Sequence, residues 1–387
     1  MKDFIPYGKH WVDENDIKAV AAVLRSKYIV QGPCVEKFEK VICNYTGAKY
    51  CVAVSSGTAA LHLAVLALEI AAGSEGITSP NTFVASSNAL IYGGLVPKFA
   101  DIDSRTFCID PREIKKKITK KTRVIIPVDF AGQPADMEQI YRLAKSKKIF
   151  VIEDAAHTLG SKYAGGSKVG SCKYSDLTIF SFHPVKTITT GEGGAITTNS
   201  KKLFEKLMLL RSHGITKEPA KFKSNPGPWY YEMQCLGFNY RMSDFQAALG
   251  LSQLKKLPSF IKKRRQIVDR YNKAFRDLPN LTIPFEKDKV KSAFHIYVVR
   301  LAFDKIKKTR TEVIKQLWTH EIGTQVHYIP VHYQPYYREK FGFKKGDFPK
   351  TEKYYEQALT IPLYPKMTYA DASRVIKSIK EVVGEKT

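Results

Sequence analysis

Three separate stretches of the chain hold residue types that together could do carbonyl chemistry. In SFHPVKTITTGEGGAITTN, residues 181–199, Lys186 has only Glu192 as a charged neighbour. A lysine that is desolvated, or set beside another positive group, keeps its amine neutral, and a neutral amine can form an imine with an aldehyde. The GEGG that follows permits a sharp turn that side chains would resist. In VIEDAAHTLGS, residues 151–161, Asp154 closes an apolar run, with Glu153 before it and His157 three residues on. A carboxylate at the carboxyl end of a parallel strand stands where ligands bind in such sheets. It could pair with a protonated ring nitrogen, hold a metal, or only cap the next turn. In SSGTAALHLA, residues 55–64, Gly57 and Thr58 mark a turn into a helix. Backbone N–H groups there can meet a phosphate at the positive end of the helix dipole, although an ordinary capped helix starts the same way. A fourth stretch, GFNYRMSDFQAALG at 237–250, sets Asn239 and Arg241 before a helix that Ser243 or Asp244 could cap.

These residues need a frame to bring them together. KYCVAVSSG (49–57), GLVPKFADI (94–102), TRVIIPVDF (122–130), KIFVIEDAA (148–156), DLTIFSF (176–182) and GGAITTN (193–199) read as strands. Between them TAALHLAVLALEIA (58–71), PREIKKKI (111–118), MEQIYRLAKSKK (137–148) and KKLFEKLMLLRSH (201–213) read as helices. Nearly continuous apolar strands spaced by helices imply an α/β domain with a mostly parallel sheet covered on both faces. Two helices precede it, in 14–26 and 34–47, separated by a glycine–proline break. From Asp244 a long helix is expected, kinked near Pro258. Beyond it, strands at 293–303, 323–331 and 358–364 alternate with helices at 310–321 and 370–383. The expected organisation is a large α/β domain over 1–250, then the long connecting helix with a smaller α+β domain over 251–387.

At 387 residues the chain is long enough for two such domains, and 44% hydrophobic content is that of a globular protein. No apolar run is long enough to span a bilayer, and the charged start MKDFIPYGKHWVDEND is not a signal peptide. A cytoplasmic location without membrane partners is therefore expected. The six cysteines are scattered with no metal-type spacing, so neither a metal site nor a disulfide framework is expected. A formal charge of +25 is compatible with a solvated basic surface, with steering of an anionic substrate, or with nucleic-acid binding. Its lysines are spread among apolar residues at helical spacing, which favours the first of these over nucleic acid.

The order of glycine–threonine turn, strand-end aspartate and then lysine resembles the fold-type I pyridoxal-phosphate enzymes. More narrowly it resembles the DegT/DnrJ/StrS sugar aminotransferases, from IPYGKHWVDENDIKAV to LTIPLYPKMT. The most specific pieces are SSGTAALHLA, EDAAHTLGSKY, SFHPVKTITTGEGGAITTN, LRSHGI and LGFNYRMSDFQAALGLSQL. Within that family HPVKTITTGEGG, GPWYYEMQCLGFNYRMSDFQ and QVHYIPVHYQPYY look most like the transaminases of pseudaminic acid biosynthesis. Those aminate carbon 4 of a UDP-linked 4-keto-6-deoxy-N-acetyl sugar, with glutamate as the usual donor.

The resemblance implies pyridoxal 5'-phosphate as cofactor, carried covalently by Lys186, with Asp154 on its ring nitrogen. It implies Phe83 stacked on the ring and His157 near the ring hydroxyl, where many relatives carry glutamine. Gly57, Thr58 and Ser181 would hold the phosphate, joined by Asn239 from a neighbouring subunit of a homodimer. His327, Tyr328 and His332 would lie toward the nucleotide-sugar. The chain departs from the family in Gly73-Ser74-Glu75-Gly76, where the usual turn is Gly-Asp-Glu-Val, and in Thr187 and the ITT that follow the lysine. Lysine at 186, where dehydratase members carry histidine, implies transamination. Alternative readings are an aminotransferase for another nucleotide keto-sugar, of GDP-perosamine or 3-keto type, or a basic binding protein that keeps the fold without catalysis.

Overall fold

The computed structural model describes residues 3–224 and 226–384. Two helices come first, α1 (Glu14–Leu24) and α2 (Pro33–Thr46). Asp13 caps α1 in a reciprocal box with Asp16. Glycine at the N-cap leaves α2 with no side-chain cap of its own.

Seven strands form the main sheet: β1 (Tyr50–Val54), β2 (Glu75–Thr78), β3 (Val96–Phe99), β4 (Thr122–Ile126), β5 (Phe150–Asp154), β6 (Leu177–Ser181) and β7 (Gly194–Thr198). Their order is β1-β7-β6-β5-β4-β2-β3. The run from β3 to β6 is parallel, and β7 lies antiparallel to both β6 and β1. Alternate residues feed two cores, as strand geometry requires. Cys51, Ala53, Ile125, Val151 and Phe180 face one side, Val52, Val54, Val124, Ile126 and Ile152 the other.

Helices α3 (Gly57–Ala67), α4 (Ala85–Tyr92), α5 (Pro111–Lys117), α6 (Met137–Ser146) and α7 (Lys201–Arg211) join and cover the strands. Both faces are thus sealed, which is why these strands read as unbroken apolar runs. β2 and α4 were not among the expected elements. β2 begins within the unusual Ser74-Glu75-Gly76 turn, pairing with β3 and β4, and the buried Glu75 carboxylate accepts from Thr119 at 2.5 Å. A short antiparallel pair, β8 (Ile215–Thr216) with β9 (Glu232–Met233), follows α7.

Helix α8 (Asp244–Phe275) runs 32 residues as one element through Pro258, which lies on its exposed face. Ser243 caps it, in a box with Gln246. Asp244 does something else: its carboxylate accepts from the backbone N–H of Gly32 at 2.6 Å and of Cys34 at 2.8 Å, and so caps α2. The first half of α8 (Ala247, Leu254, Leu257, Phe260) packs in the sheet core, and the second half (Ile267, Tyr271, Phe275) in a separate carboxy-terminal core.

That second core lies around β10 (Leu281–Thr282), β11 (Tyr297–Leu301) and β12 (Ala358–Ile361), an antiparallel sheet. The helices of this region are α9 (Arg310–Thr319), α10 (Pro335–Phe341), α11 (Pro349–Gln357) and α12 (Tyr369–Val383). Ile5, from the amino terminus, belongs to this core too, hydrogen-bonded to Glu321 and Gly323. The stretch 323–331, expected as a strand, is irregular. It pairs once with β12, Gln325 to Thr360, and then turns away so that Val331 donates to Pro80 and the His327 carbonyl accepts from Tyr354. Among the described residues no helix is long and apolar enough to cross a membrane.

Candidate active site

A cavity of about 480 Å³ opens at the carboxyl ends of β5 and β6. Asp154 is the last residue of β5 and Ser181 the last of β6, so the parallel sheet delivers both to one rim. The α3 amino terminus and the start of α4 form one wall. His295, His327 and Tyr328 reach in from the carboxy-terminal region, with Tyr7 from the amino-terminal segment. Tyr7 is held there because its carbonyl accepts from Leu363.

Lys186 is half-buried in the turn after β6, its backbone N–H on the His183 carbonyl. The threonines that follow lace this turn down. Thr189 Oγ1 donates to the Phe182 carbonyl at 3.0 Å and accepts from Gly191 at 2.9 Å. Thr190 Oγ1 donates to the Glu192 carbonyl at 2.8 Å, an oxygen that Gln246 of α8 also bonds. Burial lowers Lys186 to about 8, with Asp154 opposing the shift. Asp154 is itself raised above the usual carboxylate range by burial, against the Ser86 hydroxyl, which donates to Oδ2 at 2.6 Å, and the Ala156 amide. A neutral amine is thus accessible near neutral pH, beside a buried carboxyl able to pair with a protonated nitrogen.

The α3 terminus is built for close approach. Ser56 caps the helix through Ala59, leaving the exposed Thr58 free. A Cβ on Gly57 would stand 2.8 Å from Ser181 Cβ, and one on Gly194 would stand 2.5 Å from the Ser56 carbonyl oxygen. Glycine at both positions lets the turn, β6 and β7 converge, so N–H groups and two hydroxyls face the same space.

The opposite chemistry, neutral and aromatic, comes from the carboxy-terminal side. Ala131 N–H donates to His157 Nδ1 at 3.4 Å, so the ring proton sits on Nε2, which is 3.0 Å from the Tyr328 hydroxyl. Burial, then the Lys186 charge, lowers His157 far below the usual histidine value and His327 to about 3. Both rings stay neutral in the working range. Phe83 is 59% exposed yet part of the cavity wall, a bare aromatic face beside Tyr328.

Lys186, Asp154, Gly57, Thr58, Phe83, His157, Ser181, His327 and Tyr328 therefore line one cavity, although 270 residues lie between Gly57 and Tyr328. Asn239 does not line it; it is exposed, bridged to Ser212. His332 does not line it either. It is fully buried, with Nε2 3.0 Å from Glu352 and its ring against Phe348. Sequence reasoning passed over Tyr7, Ser86, Asp129 and His295, which also line the cavity. Asp129 alone carried a signal, at the end of an apolar run like that of Asp154.

With this geometry in place, comparison defines the class. Residues 11–380 match the profile of the DegT/DnrJ/EryC1/StrS aminotransferase family. The chain belongs to that family of pyridoxal-phosphate-dependent sugar aminotransferases. It is 42% identical over 381 residues to the spore coat polysaccharide biosynthesis protein SpsC of Bacillus subtilis, covering 98% of this chain and 97% of that one. Its fold is similar to that of Helicobacter pylori PseC, an aminotransferase involved in the biosynthesis of pseudoaminic acid, with a TM-score of 0.92 and 31% identity over 99% of this chain and all of the other. The Streptococcus pneumoniae protein Spr1654, solved in PMP and PLP forms, gives a TM-score of 0.90 in both, at 31% and 30% identity over 98% of this chain and 99% and 98% of that one. The cofactor is accordingly pyridoxal phosphate, and the residues present fit it: an amine for its aldehyde, a buried carboxyl for its nitrogen, a bare aromatic face, and a glycine cradle that a Cβ would fill. A sugar aminotransferase takes a nucleotide-sugar and an amino donor.

Proposed function

We propose that this chain aminates carbon 4 of a UDP-linked 4-keto-6-deoxy-N-acetyl hexose, with glutamate as donor, in cytoplasmic synthesis of a pseudaminic-acid-type surface sugar. The observation that carries the reading is that Lys186 and Asp154 line one cavity, in a chain whose fold is similar to that of PseC. Pyridoxal phosphate, when bound, supplies an aldehyde for the amino group and a ring that accepts electrons. Lys186 Nζ holds the cofactor between turnovers. Its amine, which burial lowers to about 8 in the cofactor-free chain, would take the α-proton of the donor and deliver a proton to carbon 4 of the sugar. Asp154 holds the ring nitrogen in its protonated form, with Ser86 fixing the carboxyl. Gly57, Thr58 and Ser181 would bind the phosphate, Phe83 would lie against the ring, and His327 and Tyr328 would face the sugar. Asn239, exposed on its own chain, reaches the phosphate of a second copy in a homodimer.

The 42% identity to SpsC favours a second reading, a different amino sugar of a surface polysaccharide. One screen separates the two. The pyridoxamine form is mixed with UDP- and GDP-linked 4-keto and 3-keto sugars, and the return of visible absorbance is followed. The UDP-linked 4-keto-6-deoxy-N-acetyl sugar should restore it fastest. A protein that responds only to GDP-linked or 3-keto sugars refutes the first reading.

A further inference from the structure

His295, two residues before β11, is 2% exposed, lines the cavity, and is used by none of the roles assigned above. Among the described residues no group donates to its ring or accepts from it, and Nδ1 is sealed away without a partner. A neutral imidazole carries its proton on one nitrogen. On Nδ1 it would bury an unsatisfied donor; on Nε2 it leaves only a buried acceptor and turns an N–H toward the cavity, the less costly arrangement. Burial, then His157, Lys186 and Arg264, hold the ring far below the usual histidine value, so it stays neutral.

The ring is also rigidly presented. Arg264 of α8 is 1% exposed and donates to the carbonyls of His295 and Leu363, both at 2.8 Å. Its Nε has no partner. On the other side Ala293 donates to Ser161 Oγ, which donates to the Gly132 carbonyl. Gly132 lies so close that a Cβ there would be 2.7 Å from His295 N. The imidazole itself rests against His157, ring centres 4.5 Å apart. A buried guanidinium facing only carbonyls is a costly way to hold a loop, and the loop it holds presents a donor that has no protein acceptor.

A second free proton lies nearby. Tyr328 accepts from His157 Nε2–H, and among the described residues its hydroxyl has no other hydrogen-bond partner, so its own O–H points to no protein acceptor.

We infer that His295 Nε2–H is a ligand-contacting donor that, with the Tyr328 hydroxyl, grips one unprotonated oxygen on the carboxy-terminal wall of the cavity. Two neutral donors suit a phenolate or keto oxygen. A carboxylate would call for a cation, and Lys186 is the only one among the lining residues. The oxygen is either the ring oxygen of the cofactor or the keto oxygen of the sugar, the latter resting on the function proposed above.

The test uses full-length protein with His295→Leu, His295→Gln, His295→Asn and Tyr328→Phe, in two arms. One arm contains no sugar: cofactor-free protein is titrated with pyridoxal phosphate, and the dissociation constant and the pH midpoint of the visible band are read. The other measures keto-sugar binding to the pyridoxamine form, with the glutamate half-reaction as control. H295L should weaken binding about tenfold in one arm, as expected for a lost buried hydrogen bond. H295Q, whose amide nitrogen reaches where Nε2 stands, should recover most of it, and H295N should not. A loss in the sugar-free arm assigns the cofactor oxygen, and a loss only with sugar assigns the keto oxygen. Should H295L fold poorly, Y328F, which removes the O–H together with the acceptor of the His157 Nε2–H, should weaken the same arm. The inference is overturned if Y328F and a well-folded H295L leave both arms within about twofold of wild type, or if glutamine rescues no better than leucine. A wild-type protein that loads cofactor but binds no keto sugar would sink the substrate assignment and leave the first arm intact.

Discussion

At the scale of single residues, Lys186 is a site where activity and stability oppose one another. Its amine titrates at about 8 in the fold, against 10.5 in the open chain, because burial disfavours the charge. Between those values the unfolded chain binds more protons, so this group makes stability rise with pH across that window; below about 8 the fold carries the whole penalty. Lys186→Met should therefore raise the stability of the cofactor-free protein at pH 7 by about 1–3 kcal/mol, a gain that fades toward pH 10, while abolishing transamination. Thermal melts of cofactor-free wild type and K186M from pH 6 to 10 read this directly; equal melting temperatures at all pH values would mean the amine is not desolvated. Lys186 and Asp154 were legible in the sequence because Lys186 has only Glu192 as a charged neighbour, Asp154 closes an apolar run, and their order along the chain is distinctive. Ser86 and His295 were not. A serine in SPNTFVASSN and a histidine within AFHIYVVRLAF carry no local signal, and only the fold discloses that one bonds Asp154 and that the other has no hydrogen-bond partner for its ring among the described residues.

At the scale of elements, six of the seven strands of the main sheet came through because both sheet faces are buried and each of the six is an apolar run, whereas β2, EGIT, is short and opens on a carboxylate. α4 did not, since ASSNALIY begins with small polar residues that read as loop, although Ser86 and Ser87 are buried here and bonded to Asp154 and Tyr337. The stretch 323–331 failed differently: its alternation suggests a strand, but after one bridge its backbone groups are met by Pro80 and Tyr354, a long-range arrangement that no local pattern encodes. The same holds for the caps. Ser243 and Asp244 looked like rivals for one helix start, and the structure gives each its own helix. Asp244, fully buried, answers two N–H groups of α2 from 210 residues away. Asp244→Ala should leave both unsatisfied and cost about 2–4 kcal/mol, against about 1 kcal/mol for Ser243→Ala. Denaturant midpoints of the two variants decide it, and a smaller loss in D244A than in S243A would show that water replaces the carboxylate.

At the scale of the whole molecule, the cavity of one chain holds the amine, the carboxyl and the glycine turn, but the exposed Asn239 does not line it. Asn239 sits just beyond a segment whose side chains are conspicuously bare: Trp229 is 73% and Leu236 76% exposed, with Tyr231 and Met233 also exposed. Exposed apolar surface of this kind suits contact with another protein surface, and in the homodimer proposed above each Asn239 would act on the phosphate site of the other chain. Genetic separation of the two contributions tests this. Lys186→Ala removes the amine from a site, and Asn239→Asp sets a negative charge against the phosphate of the site across the interface. Each variant alone should be inactive. Mixed and allowed to exchange subunits, half of the dimers become hybrids in which one site has both defects and the other has none, so activity should return to about a quarter of wild type. Co-purification through a tag on one variant verifies that exchange has occurred. If tagged hybrids form and stay inactive, or if N239D binds cofactor as wild type does, the phosphate is held within one chain and the exposed segment serves another contact.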